Sequence, residues 1–192
     1  MPAQANSYMT VEDYLTYERS STEKHEYYAG QIFALAGASE QHNLIAGSVL
    51  ATLYSQLRKR PCNVYPSDMR VRIQRTGLYT YPDISVVCGQ SIFEDAARDT
   101  LLNPIVIIEI LSPSTESYDR GKKFQNYRTI ETLQEYILIA QDAKQIDHYV
   151  RQTDSLWLLS SVSEDHETLT LPSIDCALVV ADIYEKVTFD EG

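Results

Sequence analysis

Apolar positions recur with a helical period in two parts of the chain. Over 45–57 they return about every four residues, which is typical of an amphipathic helix that begins at Ser39 and ends near Pro61. A shorter helix is predicted directly after Thr10, because an acidic residue follows three positions later in a capping-box arrangement.

Alternating patterns predict strands in most of the remaining chain. Residues 25–28 and 31–35 flank Ala29-Gly30, which indicates a hairpin. Residues 69–74 alternate apolar side chains with Arg70 and Arg72, which predicts a half-buried strand with a basic outer face. Further strands are predicted at 81–88, 104–111, 136–140, 146–151 and 156–161, and further helices at 119–130 and 182–187.

The segment 104–111, PIVIIEIL, is apolar at both odd and even positions. This pattern is typical of a central strand that is covered on both faces. Helices and strands alternate along the chain without repeats or low-complexity tracts. We therefore expect an α/β fold, with a mixed central sheet flanked by helices and an N-terminal helix and hairpin, in a single domain over residues 1–192.

The net charge of −11 is distributed unevenly: residues 1–130 are almost neutral, whereas residues 131–192 carry most of the negative charge. Such a field opposes tight, non-specific binding of nucleic acid over the whole surface. Most clusters of basic side chains are ordinary solvated surface. The alternative is a groove on one side of the protein that contacts phosphates. The clusters comprise residues 58–60, Arg70, Arg72, Arg75, Arg120, Lys122, Lys123 and Arg128.

The three cysteines are far apart in sequence, and none belongs to a CxxC pair. We therefore expect buried, reduced thiols, with neither a zinc ribbon nor a disulfide framework. The apolar runs are too short to span a bilayer, and the first ten residues lack the basic and apolar segments of a secretory signal. These features predict a cytoplasmic protein with no membrane partner.

Two carboxylates lie in or beside predicted core strands. Glu109 stands between Ile108 and Ile110, and Asp83 precedes another apolar strand. An ionised carboxylate in an apolar interior costs several kcal/mol, which a basic partner, a raised pKa or a bound cation must offset. Each acid alone is compatible with a strand end in solvent or a salt bridge. If the two strands are neighbours, both carboxylates can bind one Mg²⁺.

The predicted helix after residue 115 supplies a third group. Asp119, Lys123 and Tyr127 are spaced by four residues and share one helical face. They form either an ordinary surface ion pair beside a tyrosine or a face that directs the ammonium at the two carboxylates. Upstream, Glu26 in the hairpin and His42 near the start of the long helix are further candidates.

An acid after Pro82 on one strand and Glu109 inside a second strand resemble the restriction-endonuclease-like superfamily, whose signature is PD-(D/E)XK. The stretch EILSPST at 109–115, followed by DRGKK at 119–123, is more specific. With these motifs, the chain resembles over nearly its whole length a bacterial endonuclease family long catalogued only as a domain of unknown function.

The resemblance implies an endonuclease that hydrolyses nucleic acid, with DNA as the expected substrate, Mg²⁺ as cofactor (replaceable by Mn²⁺) and a homodimer as the assembly. The metal ligands would be Asp83, Glu109 and the carbonyl of Ile110, and the catalytic residues Asp83, Glu109, Lys123 and Glu26. Supporting roles fall to Asp119, Tyr127 and His42. Candidates for holding phosphates are Arg70, Arg72, Arg120 and Lys122.

One position departs from the superfamily pattern, because Leu111 replaces the lysine that follows the second acid by two residues. The family supplies its lysine from the next helix, and Lys123 fits that place. An alternative is a catalytically inactive module that binds nucleic acid or a protein partner. It predicts no metal binding and a Glu109 paired with an arginine or with Lys123. A third possibility, a small-molecule phosphohydrolase, requires a closed pocket.

Overall fold

A computed structural model describes residues 8–189 of the chain. The helices are α1 (Val11–Ser20), α2 (Glu40–Leu57), α3 (Glu116–Tyr118), α4 (Phe124–Tyr127) and α5 (Val180–Tyr184), with a π-helical turn, Asp119–Lys123, between α3 and α4. Residues 1–7 lie outside the described residues, and they make up most of the segment that predicted no secretory signal. The single domain over 1–192 stays a prediction.

In the described part of the chain, thirteen strands lie between and after these helices. They are β1 (His25–Tyr28), β2 (Gln31–Ala34), β3 (Cys62–Pro66), β4 (Arg70–Ile73), β5 (Leu78–Thr80), β6 (Ile84–Cys88), β7 (Thr100–Leu101), β8 (Val106–Leu111), β9 (Glu135–Ala140), β10 (Ile146–Arg151), β11 (Trp157–Val162), β12 (Thr168–Leu171) and β13 (Cys176–Val179).

A six-stranded mixed sheet, in the order β11-β10-β9-β8-β6-β3, forms the centre of the fold. Its only parallel pair is β8–β9, and all residues of β8 are buried, as predicted for a central strand. One face packs on α2, α5 and the β12–β13 hairpin. The other face packs on the segment from Phe124 to Leu133 and on a second sheet. The predicted α/β class, with a mixed sheet flanked by helices, is confirmed.

The second sheet has five strands in the order β2-β1-β5-β4-β7. The predicted N-terminal helix and hairpin are α1 and β1–β2. Thr10 caps α1, and Ala29 and Gly30 both have positive φ in the two-residue turn. The strand predicted at 81–88 is confirmed from Ile84 onward as β6 but not at 81–83, because β5 ends at Thr80 in the second sheet and β6 begins in the first. Residues 81–83 cross between the two sheets and place Asp83 at their junction.

The prediction of three reduced cysteines is wrong for two of them. Cys62 and Cys88 form a disulfide, whereas Cys176 is free and buried. The bridge forms because β3, which the sequence pattern did not reveal, pairs antiparallel with β6 and places the two cysteines directly opposite. In the described residues, no helix combines the length and hydropathy needed to cross a membrane.

The disulfide gives a prediction about stability. A bridge that joins residues 26 positions apart stabilises a fold by about 3 kcal/mol, because it restricts the unfolded chain. Protein purified without reductant should therefore show one reactive thiol in denaturant, and the Cys62→Ser variant should unfold at a lower urea concentration. Three reactive thiols in the unreduced protein would contradict the bridge.

Candidate active site

The two acids identified from sequence lie on neighbouring strands. β6 and β8 are antiparallel, with Ile84 opposite Ile108. One step further in this register, Asp83 faces Glu109, and directly opposite residues project from the same face of a sheet. Asp83 Oδ2 accepts a hydrogen bond of 2.7 Å from the backbone N–H of Ile110. The condition stated for a shared cation, that the strands are neighbours, is therefore met.

His42, near the start of α2, contacts the carboxylate of Asp83. Its Nε2 lies 3.2 Å from Asp83 Oδ2, and its Nδ1 is buried without a hydrogen-bond partner in the described structure. Ser39 caps α2 by accepting a hydrogen bond from the His42 backbone N–H, so the start of the helix fixes the position of this ring. His42 is thus placed to orient Asp83.

Glu109 is almost completely buried and receives two polar contacts. Its Oε1 accepts a hydrogen bond of 2.7 Å from the hydroxyl of Tyr127 and lies 2.9 Å from Nζ of Lys123. Burial raises the pKa of Glu109 to about 8, and the ammonium of Lys123 opposes that rise. The carboxylate is therefore held in an environment that disfavours its charge unless a cation lies nearby.

Lys123 is buried among three carboxylates. Its Nζ lies 2.9 Å from Glu109, 3.3 Å from Asp119 and 3.7 Å from Glu26. Burial alone lowers the pKa of Lys123, but Glu109, Asp119 and Glu26 together raise it well above the usual value. Nζ of Lys123 therefore points at Glu109, one of the two strand acids, and at Asp119 and Glu26, whereas no ion pair joins it to Asp83 in the described residues.

The helix predicted over 119–130 is present over 116–127, but the part that carries Lys123 is π-helical and not regular α-helix. A π-helical turn, Asp119–Lys123, separates two short helical turns, and the segment ends at Tyr127. Such wider turns are rare and occur frequently at functional sites. The four-residue spacing still brings Asp119, Lys123 and Tyr127 to the same side. There Lys123 and Tyr127 contact Glu109, and Asp119 contacts Lys123. These residues, with Asp83, His42 and Glu26, form the cluster of the candidate active site.

Glu26 reaches the cluster from the second sheet. Its two oxygens accept hydrogen bonds from the hydroxyls of Thr80 on β5 and Tyr118 on α3. Tyr136 on β9 donates from its hydroxyl to the backbone carbonyl of Asp119. None of these three hydroxyl residues was a site candidate from the sequence. Only Thr80 could have been found there, because a polar residue two positions after Leu78 lies on the same face of a strand.

Two of the basic residues predicted to hold phosphates are used inside the fold. Arg70 is 2% exposed, donates to Thr100 and lies 3.1 Å from Asp99. Arg72 donates to Glu94. The basic outer face predicted for β4 is therefore wrong at Arg70, because Tyr14 of α1 and Tyr81 pack against its guanidinium and Thr100 of β7 accepts its hydrogen bond.

The two basic residues next to Lys123 differ from each other. Arg120 forms ion pairs with Glu116 and Asp147, so its charge is balanced within the chain. Lys122 is exposed, and no ion pair involves it in the part of the chain that the structure describes. Of the four candidates for phosphate contact, Lys122 alone has a side chain that is both exposed and uncommitted.

The chemistry of the cluster suits a hard divalent cation. Within residues 8–189, no three His, Cys, Asp or Glu side chains form a ready-made metal site. Mg²⁺, however, is usually held by one or two carboxylates, with water and substrate oxygens completing the shell. Asp83 and Glu109 fit that set, whereas Oδ1 of the buried Asp119 already lies 3.3 Å from Nζ of Lys123. The carbonyl of Ile110 points to the Asp83 side of β8, as its N–H does.

The fold is that of the restriction-endonuclease-like superfamily. A crystal structure of a protein from Anabaena variabilis, described as a putative nuclease belonging to DUF820, is similar to this chain with a TM-score of 0.77. The two share 20% sequence identity, and the match covers 94% of this chain and 99% of the other.

The chain belongs to the Uma2 family, described as "Putative restriction endonuclease", whose family model matches residues 11–181. Two uncharacterized proteins of Synechocystis sp. are similar over most of their length. The protein slr1290 is 35% identical over 181 residues, covering 94% of both chains. The protein sll1609 is 37% identical over 154 residues, covering 80% of this chain and 87% of its own.

Proposed function

We propose that this protein is a Mg²⁺-dependent endonuclease that hydrolyses phosphodiester bonds in DNA, and that Mn²⁺ can replace Mg²⁺. The observation that carries the proposal is the position of Lys123, whose ammonium lies within 3.7 Å of Glu26, Glu109 and Asp119. Lys123 thus contacts three acids, and a fourth, Asp83, lies on the strand next to Glu109. The negative charge that Lys123 does not balance favours a divalent cation at this site. The description of the family as endonucleases supports the same proposal.

Each residue of the cluster has a role in this proposal. Asp83, Glu109 and the Ile110 carbonyl would hold the metal ion, which when bound supplies Lewis-acid activation of water and of the phosphodiester. Lys123 stabilises the charge that develops on the phosphate oxygens and orients the attacking water. The surrounding carboxylates raise the pKa of Lys123 and so favour its ammonium form.

The other residues of the cluster position these groups. Tyr127 holds Glu109 by its hydroxyl hydrogen bond, His42 holds Asp83, and Asp119 keeps the ammonium of Lys123 in place. Glu26 either adds a further oxygen to the metal site or balances Lys123. We keep Lys122 as the candidate for contact with phosphates.

A second candidate function is a catalytically inactive module that binds nucleic acid or a protein partner. The contact of 2.9 Å between Lys123 and Glu109 favours it, because that pairing compensates the buried acid without a metal ion. Leu111 at the usual lysine position points the same way. Metal binding separates the two functions: the nuclease requires it, and the inactive module does not.

Plasmid cleavage tests the proposed function. Supercoiled DNA incubated with the protein and Mg²⁺ or Mn²⁺ should be converted to open-circular and linear forms, and EDTA should stop the conversion. If the protein leaves the plasmid intact with both metals, or cleaves it equally well in EDTA, the proposal is wrong. Sedimentation of the same sample tests the expected homodimer.

A further inference from the structure

One face of the β1–β2 hairpin continues from the candidate active site to the surface. Glu26 lies directly opposite Phe33 in the antiparallel register, so both side chains project from the same face. Tyr28, two residues after Glu26, shares that face. Leu35 does as well, because its N–H donates to the carbonyl of Lys24 and so extends the register by one pair.

In residues 8–189, three side chains of this face, Tyr28, Phe33 and Leu35, are exposed apolar groups, and the polar residues Lys24 and Gln31 share the face with them. Phe33 is 49% exposed and Tyr28 is 46% exposed, whereas Glu26 beside them is 6% exposed. The opposite face of the hairpin is covered, since Tyr27 and Ile32 belong to the core beneath α1. β2 is also the outermost strand of its sheet. The strip of Tyr28, Phe33 and Leu35 therefore begins where the buried cluster ends.

Cations that could hold a DNA backbone are scarce near this site. Arg70, Arg72 and Arg120 form ion pairs within the chain, Lys24 pairs with Asp68, and Lys122 is left as the uncommitted cation among them in the described residues. The net charge of the protein is −11. Affinity for DNA must therefore come in part from uncharged contacts. Stacking of a base on an aromatic side chain supplies such affinity for any base, since every base has an aromatic face.

We infer that the strip of Tyr28, Phe33 and Leu35 holds an unpaired nucleobase of the DNA strand whose phosphodiester enters the site, with Phe33 as the stacking residue. This inference rests on the proposed function and adds a preference to it. A base inside a duplex is already stacked on its neighbours, so the strip favours single-stranded or frayed DNA over intact duplex.

The test compares aromatic and non-aromatic residues at position 33. A fluorescein-labelled single-stranded oligonucleotide is titrated with wild type, Phe33→Ala, Phe33→Leu and Phe33→Trp, in EDTA so that no metal-dependent cleavage occurs. Phe33→Ala and Phe33→Leu should weaken binding about ten-fold to a hundred-fold, and Phe33→Trp should restore it. Binding to a duplex of the same sequence should change less.

Tyr54→Ala is the matched control. Tyr54 is an exposed aromatic residue of α2, about 18 Å along that helix from His42, and the variant should bind the oligonucleotide as wild type does. Because Phe33 is half exposed, its variants should unfold at the wild-type temperature. In cleavage assays with Mg²⁺, Phe33→Ala should raise KM for single-stranded DNA more than it lowers kcat.

Distinct outcomes separate this inference from the proposed function. A wild type that cleaves DNA while Phe33→Ala binds and cleaves single strands equally well overturns the inference alone. So does equal binding by Phe33→Leu and Phe33→Trp, because the ring is then not required. A change of oligomeric mass in Phe33→Ala assigns the strip to a second copy of the chain instead. A wild type that neither binds nor cleaves DNA overturns both.

Discussion

Replacing Lys123 by methionine is expected to reduce the rate of DNA cleavage about a hundred-fold to a thousand-fold. This is the usual loss when one preorganised group that stabilises developing charge is removed from an active site. Methionine has a similar length and no charge, so Glu26, Glu109 and Asp119 would lose the cation they share. Cleavage of supercoiled plasmid at a fixed Mg²⁺ concentration measures the effect.

The same variant should also be less stable, by about 3–5 kcal/mol, because removal of one partner from a buried ion pair leaves the other uncompensated. Its activity is therefore compared at a temperature where circular dichroism shows a folded protein. Lys144→Met is the control, since Lys144 forms only an exposed ion pair with Asp165. Cleavage by folded Lys123→Met within about three-fold of wild type would contradict the role assigned to Lys123.

Replacing Asp83 by asparagine is expected to abolish Mn²⁺ binding and to lower cleavage about a thousand-fold. The amide keeps the shape of the side chain and an oxygen that can accept the N–H of Ile110. It removes the negative charge that a hard cation requires. Loss of metal activation corresponds to several kcal/mol of transition-state stabilisation, which gives the expected factor.

Isothermal titration with Mn²⁺ and the plasmid assay measure the two effects of Asp83→Asn. Asp165→Asn, at the exposed surface, should behave as wild type in both. If Asp83→Asn binds Mn²⁺ as wild type does, Asp83 is not a metal ligand. If wild type itself gives no heat of binding, the inactive module becomes the better description of the fold.

The acids of the candidate site could be selected from the residues of each strand alone. A carboxylate within an apolar strand is unusual whichever strands lie next to it. Glu109 and Asp83 needed no knowledge of the sheet to be selected. Asp119, Lys123 and Tyr127 still lie on one side of their helical segment, as their spacing predicted. The π-helical turn within that segment could not be predicted from the local pattern. What these predictions lacked was the register that places Asp83 opposite Glu109.

Contacts between distant strands could not be predicted. The disulfide depends on the pairing of β3 with β6, and Cys62 lies in a strand whose alternation is too weak to stand out. Thr80 reaches Glu26 only because β5 pairs with β1 in a second sheet. Arg70 looked like an outward residue because the sequence gives no sign that α1 packs Tyr14 against it on this face of the second sheet.

We propose that Asp83 and Glu109, the carboxylates of two neighbouring strands, hold a divalent cation beside Lys123. Anomalous diffraction from a crystal soaked in Mn²⁺ is the decisive experiment for this site. One anomalous peak is expected between the two carboxylates, next to the carbonyl of Ile110. A peak elsewhere, or a soaked crystal in which Lys123 and Glu109 keep their contact and no peak lies between the acids, would contradict it.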